Sequence, residues 1–202
     1  GHRTRGTVIE SNYWYPALKA VYGDNLIYAG PDQKTFIKGH LSATPDGLII
    51  NQNRRTALKQ IGIKDIGTDC FMVECKTADS RSNLSEPKHH NVMQVQTQLG
   101  LVRETTKHKP LFSVLSYIDA TDWAKVTEFV IMFDPKKFAS NEARATKILT
   151  AKSVSELQPE GYISGKDCRY CPFTKICGIE RSTLPYADTP AEPQFQAEVC
   201  DA

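Results

Sequence analysis

The stretch CFMVECKTA, residues 70–78, decides how this chain is read. It is mostly apolar, short and bounded by polar segments, which predicts one buried β-strand. Side chains alternate across a strand, so Glu74 and Lys76 leave one face and Cys75 the other. Acid-x-lysine triples also arise by chance, and the chain has four: Asp32-Gln33-Lys34, Glu74-Cys75-Lys76, Glu86-Pro87-Lys88 and Asp134-Pro135-Lys136. The two that contain proline cannot lie in a paired central strand. Asp32-Gln33-Lys34 follows a Gly-Pro turn with no apolar run before it. Only Glu74 and Lys76 follow such a run. Burying this pair without partners is costly. The alternative is an exposed strand end carrying a surface ion pair.

Upstream, PDGLII at residues 45–50 is a turn that ends in a strand. Pro45 cannot sit inside a central ladder, so the strand is entered through a bend. Asp46 then stands at the strand's start. Charged groups converging from two neighbouring strands need something to hold them together. A hard divalent cation such as magnesium, or manganese, takes oxygen ligands and keeps several waters. Asp46 and Glu74 would supply carboxylates, and the main-chain carbonyl of Cys75 a third oxygen. Lys76 would then lie beside an activated water and a scissile phosphate, where its charge is useful.

The flanking sequence predicts an α/β domain, a mixed central β-sheet with helices on its faces. Residues 4–22 read as a helix stopped by Gly23. NLIYA is a short strand and Gly30-Pro31 a turn. GHLSATPDGLIINQ reads as a strand pair or a bent strand, and residues 51–69 as a polar, basic hairpin excursion. The segment before residue 91 has loop composition, including His89 and His90, which read as surface histidines. NVMQVQTQLGLVRET predicts a helix with Val92, Val95, Leu99 and Val102 along one stripe. LFSVLSYID and KVTEFVIMF are strands, and the segment from Pro135 a helix with a solvated basic face. The tail from Leu184 carries Pro185, Pro190 and Pro193 and reads as an extended arm. The expected organisation is a core over 1–160, a cysteine segment over 161–183 and the tail over 184–202.

The 202 residues suffice for one cored domain and a small appendage. A 40% apolar and 24% charged content is that of a soluble globular chain. No apolar run has the length of a membrane span and no signal-peptide pattern opens the chain, so a cytoplasmic protein without membrane partners is expected. A net charge of +2 excludes a coat for nucleic acid but allows a local basic groove. Six cysteines without a secretory signal point to a reducing compartment, where clustered thiols hold metal more often than they form disulfides.

PDG followed by ECK resembles the core motif of the PD-(D/E)XK nuclease superfamily. The resemblance extends to RGTVIES, similar to that superfamily's first-helix motif, and to VMQVQTQLGLV, similar to the helix after the lysine strand. It covers residues 4 to about 118. It implies a restriction-endonuclease-like fold and a magnesium-dependent DNA nuclease with Asp46, Glu74 and Lys76 catalytic. It also implies Glu10 near the metal and Gln94 near the active site, with Gln98 second to it at the substrate. Glutamate at 10 and glutamine at 98 resemble the lambda-exonuclease and YqaJ branch more than RecB-like members. That branch acts on DNA ends in recombination, repair or phage replication, often as a ring of subunits, so a homo-oligomer or a recombination partner protein is implied. The interval from Asp46 to Glu74 is longer than the family pattern. Its Arg54, Arg55 and Lys59, with the basic segment 136–147, would meet DNA backbone; a solvated charged hairpin is the alternative. Restriction-type and CRISPR-adaptation endonucleases, and a non-catalytic DNA-binding or assembly module, are rival expectations on the same fold.

CRYCPFTKIC places Cys168, Cys171 and Cys177 in a C-x2-C-x5-C array. Three clustered thiols suit a soft metal or an iron–sulfur cluster. The spacing, with proline after the second cysteine, resembles the C-terminal 4Fe–4S site of AddB-type helicase–nucleases and of RecB-like CRISPR-adaptation nucleases. There a fourth cysteine precedes the first-helix motif. Zinc with a histidine ligand, or a packed knot of thiols, are the alternatives.

Overall fold

The structure is a computed structural model that describes residues 2–50, 70–79, 81, 84–157 and 172. The chain divides into two compact units, Gly1–Thr150 and Ala151–Ala202. The described strands and α-helices lie in the first unit. Of the second, the described part is 151–157, with a single 3-10 turn at Val154–Glu156, and residue 172. The hairpin expected over 51–69, the cysteine array and the tail lie outside the described residues.

The expected mixed sheet with helices on its faces is present. Among the described residues, five strands run in the order β1 (Leu26–Ile27), β4 (Gly47–Ile50), β5 (Cys70–Ala78), β6 (Phe112–Asp119), β7 (Val126–Met132). Only β5 and β6 are parallel; the other neighbours are antiparallel. The small hairpin of β2 (Phe36–Lys38) and β3 (Leu41–Ala43) stands apart from this sheet. Alternation along β5 assigns its side chains to two cores. Phe71 and Val73 join Ile9, Trp14, Ile49 and Ile118 under the N-terminal helix. Met72 and Ala78 join Val95, Leu99, Leu115 and Tyr117 under α3 (His89–Thr105). β5 is therefore covered on both faces, and Glu74 is buried with it at 1% exposure. An exposed strand end is not what the structure has.

Three local differences from the sequence reading have physical causes. The single helix expected over 4–22 is α1 (His2–Ile9), a π turn (Glu10–Trp14) and α2 (Tyr15–Tyr22). Pro16 cannot donate a backbone hydrogen bond and its ring crowds the preceding turn. The ladder widens just ahead of it, and the Tyr15 amide donates to the Glu10 carbonyl. The first strand of the β2–β3 hairpin has no counterpart in the sequence reading, because three residues show no periodicity. His89 and His90, expected in a loop, form the first turn of α3 and are exposed.

The last α-helix among the described residues, α4 (Pro135–Thr150), packs on α3. The contact is close because α3 presents Gly100: a Cβ there would overlap the Phe138 ring. Asn141 adds hydrogen bonds to Thr97 Oγ1 at 2.8 Å and the Met93 carbonyl at 3.1 Å. Among the described residues, no helix is long and apolar enough to cross a membrane.

Candidate active site

Among the described residues, β4 pairs with β5 from Gly47 to Ile50, with Gly47 opposite Val73. One residue before Asp46 stands Pro45, which has no amide to continue the ladder. The N–H of Cys75 therefore lacks a strand partner on this side. The Asp46 carboxylate takes it: Oδ2 accepts from the Cys75 amide at 2.7 Å. A residue's N–H and C=O leave a strand on the same side, so the Cys75 carbonyl faces this edge too. Gly47 lets the bend close. A Cβ there would press on Val73, Leu26 and Ala29 at 3.0–3.2 Å, tighter than ordinary contact.

Glu74 points the other way along the same strand, into the layer under α3. Its Oε1 accepts from Lys76 Nζ at 2.6 Å and from Gln94 Nε2 at 2.8 Å. Its Oε2 accepts from Gln98 Nε2 at 2.8 Å. Gln94 and Gln98 are four residues apart on α3, one helical turn, and so reach one carboxylate from the same face. The sequence placed Gln98 at the substrate. The structure buries it at 1% exposure, with its amide shared between Glu74 and the Thr44 carbonyl, so it holds Glu74 in place. Gln98 Oε1 is buried and has no hydrogen-bond partner among the described residues.

Glu10, at the start of the π turn, is joined to this group through a residue to which the sequence assigns no role. Gln33 Nε2 donates to Glu10 Oε1 at 3.0 Å and lies 3.4 Å from Asp46 Oδ1. Nothing local in Asp32-Gln33-Lys34 signals this, because both partners are distant in sequence. Asp46, Glu74, Lys76, Glu10, Gln94 and the Cys75 main chain are thus brought together. Arg54, Arg55, Lys59, Cys168, Cys171 and Cys177 lie outside the described residues.

The electrostatics are those of crowded acids. Burial pushes the Asp46 carboxyl well above the usual carboxylate range, and the charges of Glu74 and Glu10 push the same way. The Cys75 amide and Lys76 pull it back without prevailing. Burial also raises Glu74, opposed by Lys76, Gln98 and the Asp46 amide. For Lys76, burial works against the charge, but Glu74 and Asp46 outweigh it and its pKa is raised. Lys76 stays charged. The Cys75 thiol is driven up by burial and the surrounding carboxylates, which leaves it a neutral packing group.

Three carboxylates and one ammonium carry excess negative charge when ionised, and their oxygens are hard donors. This is the donor chemistry of magnesium or manganese. Among the described residues no three His, Cys, Asp or Glu side chains converge closely enough to hold a metal ion by themselves. The Gln33 amide stands between Glu10 and Asp46, and the Glu74 oxygens are occupied by Lys76, Gln94 and Gln98. Side-chain rotation and the Cys75 carbonyl would complete a site.

No protein-family model and no curated protein matches this chain. Among solved structures, it is similar to one described as the crystal structure of SSO0001, at 19% identity and a TM-score of 0.45, over 85% of this chain and 70% of that one.

Proposed function

We propose that this chain is a metal-dependent deoxyribonuclease of the PD-(D/E)XK kind that degrades linear DNA from its ends. The observation that carries the reading is the grouping of Asp46, at the entry to β4, with Glu74 and Lys76 in the middle of β5, and Gln94 on Glu74. A charged lysine bound to a buried carboxylate, beside a second, half-buried carboxylate, has an obvious use in phosphodiester hydrolysis. A module that only binds DNA has no need of it.

Asp46, Glu74, Glu10 and the Cys75 carbonyl would hold magnesium or manganese. The cation would polarise the phosphate and lower the pKa of water. The chain's own groups do the rest. Lys76 sets a fixed positive charge against the phosphate as negative charge grows there, in a half-buried place where the field is weakly screened. Glu74 fixes the direction of that ammonium, and Gln94 and Gln98 fix Glu74. DNA would be held through its backbone by Arg54, Arg55 and Lys59 and by basic residues of α4, which makes binding salt-sensitive and sequence-tolerant. Cys168, Cys171 and Cys177 would bind a 4Fe–4S cluster that fastens the C-terminal segment; iron and acid-labile sulfide in anaerobically purified protein test this, and stoichiometric zinc would replace it.

The test of the activity is incubation with end-labelled linear and closed circular duplex, with magnesium, manganese or EDTA. Linear DNA should be degraded without a preferred sequence and circular duplex spared, and Glu74→Ala should be inert. Discrete fragments from a circular plasmid would move the reading to a restriction-type endonuclease. No cleavage with either metal would leave a DNA-binding or assembly module.

A further inference from the structure

β7 ends its sheet: β6 lies on one side of it, and among the described residues no strand lies on the other. Which of its backbone groups face outward follows from the ladder. At the two ends of the β6–β7 pair, the Asp119 amide donates to the Lys125 carbonyl at 3.0 Å and the Phe133 amide to the Leu111 carbonyl at 2.7 Å. Both bonds continue the register of the pair, and residues that bond one antiparallel neighbour recur at every second position. Lys125, Thr127, Phe129, Ile131 and Phe133 therefore bond toward β6. Val126, Glu128, Val130 and Met132 turn their N–H and C=O groups outward. Gln96 on α3 agrees with this phase. Its side-chain amide donates to the Met132 carbonyl and accepts from the Asp134 N–H, both at 2.8 Å, as a neighbouring strand would. That cap stops at Met132. Among the described residues, the outward groups of Val126, Glu128 and Val130 have no hydrogen-bond partner.

The side chains of these positions share one face of the sheet. Val126, Val130 and Met132 are 42%, 63% and 56% exposed, and Glu128 is exposed between them. Native sheets blunt a free edge with lysine, proline, a bulge or a very short strand. β7 runs seven residues, VTEFVIM, with neither lysine nor proline. An edge of this kind pairs with another strand. A second copy of this chain fits it better than an unrelated strand does. An added strand leaves its own far edge open, whereas two copies of β7 close both edges in one two-fold contact. In antiparallel pairing about Phe129, Val126 lies opposite the partner's Met132 and Glu128 opposite the partner's Val130, each twice. Apolar groups then meet and no like charges stand directly opposed. Packing the same stripe face to face would instead bury the Glu128 carboxylate. That group has Ser116 Oγ at 2.9 Å but no ion-pair partner among the described residues.

We propose that this chain associates as a two-fold dimer through antiparallel pairing of β7 with its own copy, which joins the two sheets edge to edge. The contact closes at two copies, unlike the head-to-tail contacts of a ring. It is independent of the chemistry at Asp46, Glu74 and Lys76.

The experiment is sedimentation equilibrium of the full chain across the micromolar range, in reducing buffer so that disulfides do not join the copies. It compares wild type with Val130→Pro, Val130→Glu and Val130→Lys, and circular dichroism checks that each variant is folded. Wild type should sediment at twice the chain mass of 22.6 kDa. The Val130 N–H faces away from β6, so proline there removes no bond of the chain's own ladder. Val130→Pro should be folded and monomeric. Val130→Glu sets a carboxylate opposite each Glu128 and should weaken the dimer roughly tenfold, whereas Val130→Lys sets an ammonium there and should not weaken it. Should Val130→Pro fail to fold, the two charge variants decide. A monomeric wild type overturns the proposal, as does a trimer or larger ring. A dimer that survives Val130→Pro overturns it too. Equal weakening by Val130→Glu and Val130→Lys overturns the strand pairing in favour of packing through the exposed face.

Discussion

Glu74 and Lys76, two residues apart on one face of β5, meet at 2.6 Å, the carboxylate 1% exposed and the lysine 27%. The pair is buried enough that each charge depends on the other. Removing the lysine leaves a carboxylate with hydrogen bonds but without a countercharge.

Lys76→Ala is expected to lower magnesium-dependent degradation of linear DNA by at least about 100-fold, the scale of losing one charge aimed at a transition state. Glu74 loses its nearest cation, so its pKa rises further. Single-turnover rates on an end-labelled duplex check the first effect. Activity within a few-fold of wild type would remove Lys76 from the chemistry.

Gln98 donates to Glu74 and to the Thr44 carbonyl, and its own carbonyl oxygen has no partner among the described residues. Gln98→Met keeps the length, deletes both donations and also deletes the unpartnered acceptor. The first effect wins, because a hydrogen bond to a carboxylate contributes about 1.5–3 kcal/mol. A loss of about 1–2 kcal/mol is expected in urea denaturation, with a smaller effect on activity than from Lys76→Ala. Stability equal to wild type would mean that the two effects cancel and Glu74 is held without Gln98.

Part of this site is legible in the sequence, and the boundary is instructive. CFMVECKTA signals itself because apolar residues flank its charges, and the alternation then assigns Glu74 and Lys76 to one face. Pro45 signals where the ladder stops, which is why Asp46 is free to bond the Cys75 amide. Glu10, Gln94 and Gln98 are reached through resemblance, not periodicity, and the resemblance carries no sign that Gln98 is buried against Glu74 and the Thr44 carbonyl. Gln33 escapes altogether. Its partners lie 23 and 13 residues away, on separate elements, and no local pattern encodes such a contact. The π turn has a signal in Pro16, but helical spacing on both sides of it masks the change of register.

Gly100 tests how α3 and α4 fit together. Gly100→Ala should destabilise the fold by about 1–3 kcal/mol, the usual cost of overpacking, despite the better helix propensity of alanine. Phe138→Leu in the same chain should recover part of the loss. Thermal or urea denaturation of the single and double variants decides it. A Gly100→Ala chain as stable as wild type would show that Phe138 moves aside freely.

The last prediction concerns pH. Burial and like charges raise Asp46, and burial raises Glu74, so the folded protein holds these protons more tightly than the unfolded chain does. Below the ordinary carboxylate pKa of about 4, both states are protonated and the contribution to stability is complete. As pH rises from there, the unfolded chain releases its protons first. Stability falls until the raised pKa values are passed, and it stays low above them. The raised Lys76 acts in the same direction, but only in the alkaline range where lysine titrates. In EDTA, wild type should therefore lose stability relative to Asp46→Asn as pH climbs from about 4 toward neutrality. The asparagine side chain keeps an oxygen for the Cys75 amide but has no charge to bury. At neutral pH the variant should be the more stable protein and the inactive one. Manganese should reverse the order by stabilising wild type alone, and more strongly as pH rises, because the cation must displace protons to bind. Thermal denaturation of both proteins across this range, with and without manganese, measures the difference directly. An Asp46→Asn chain that is less stable than wild type throughout, in EDTA, would mean that the Asp46 carboxylate is favourably paired and not strained.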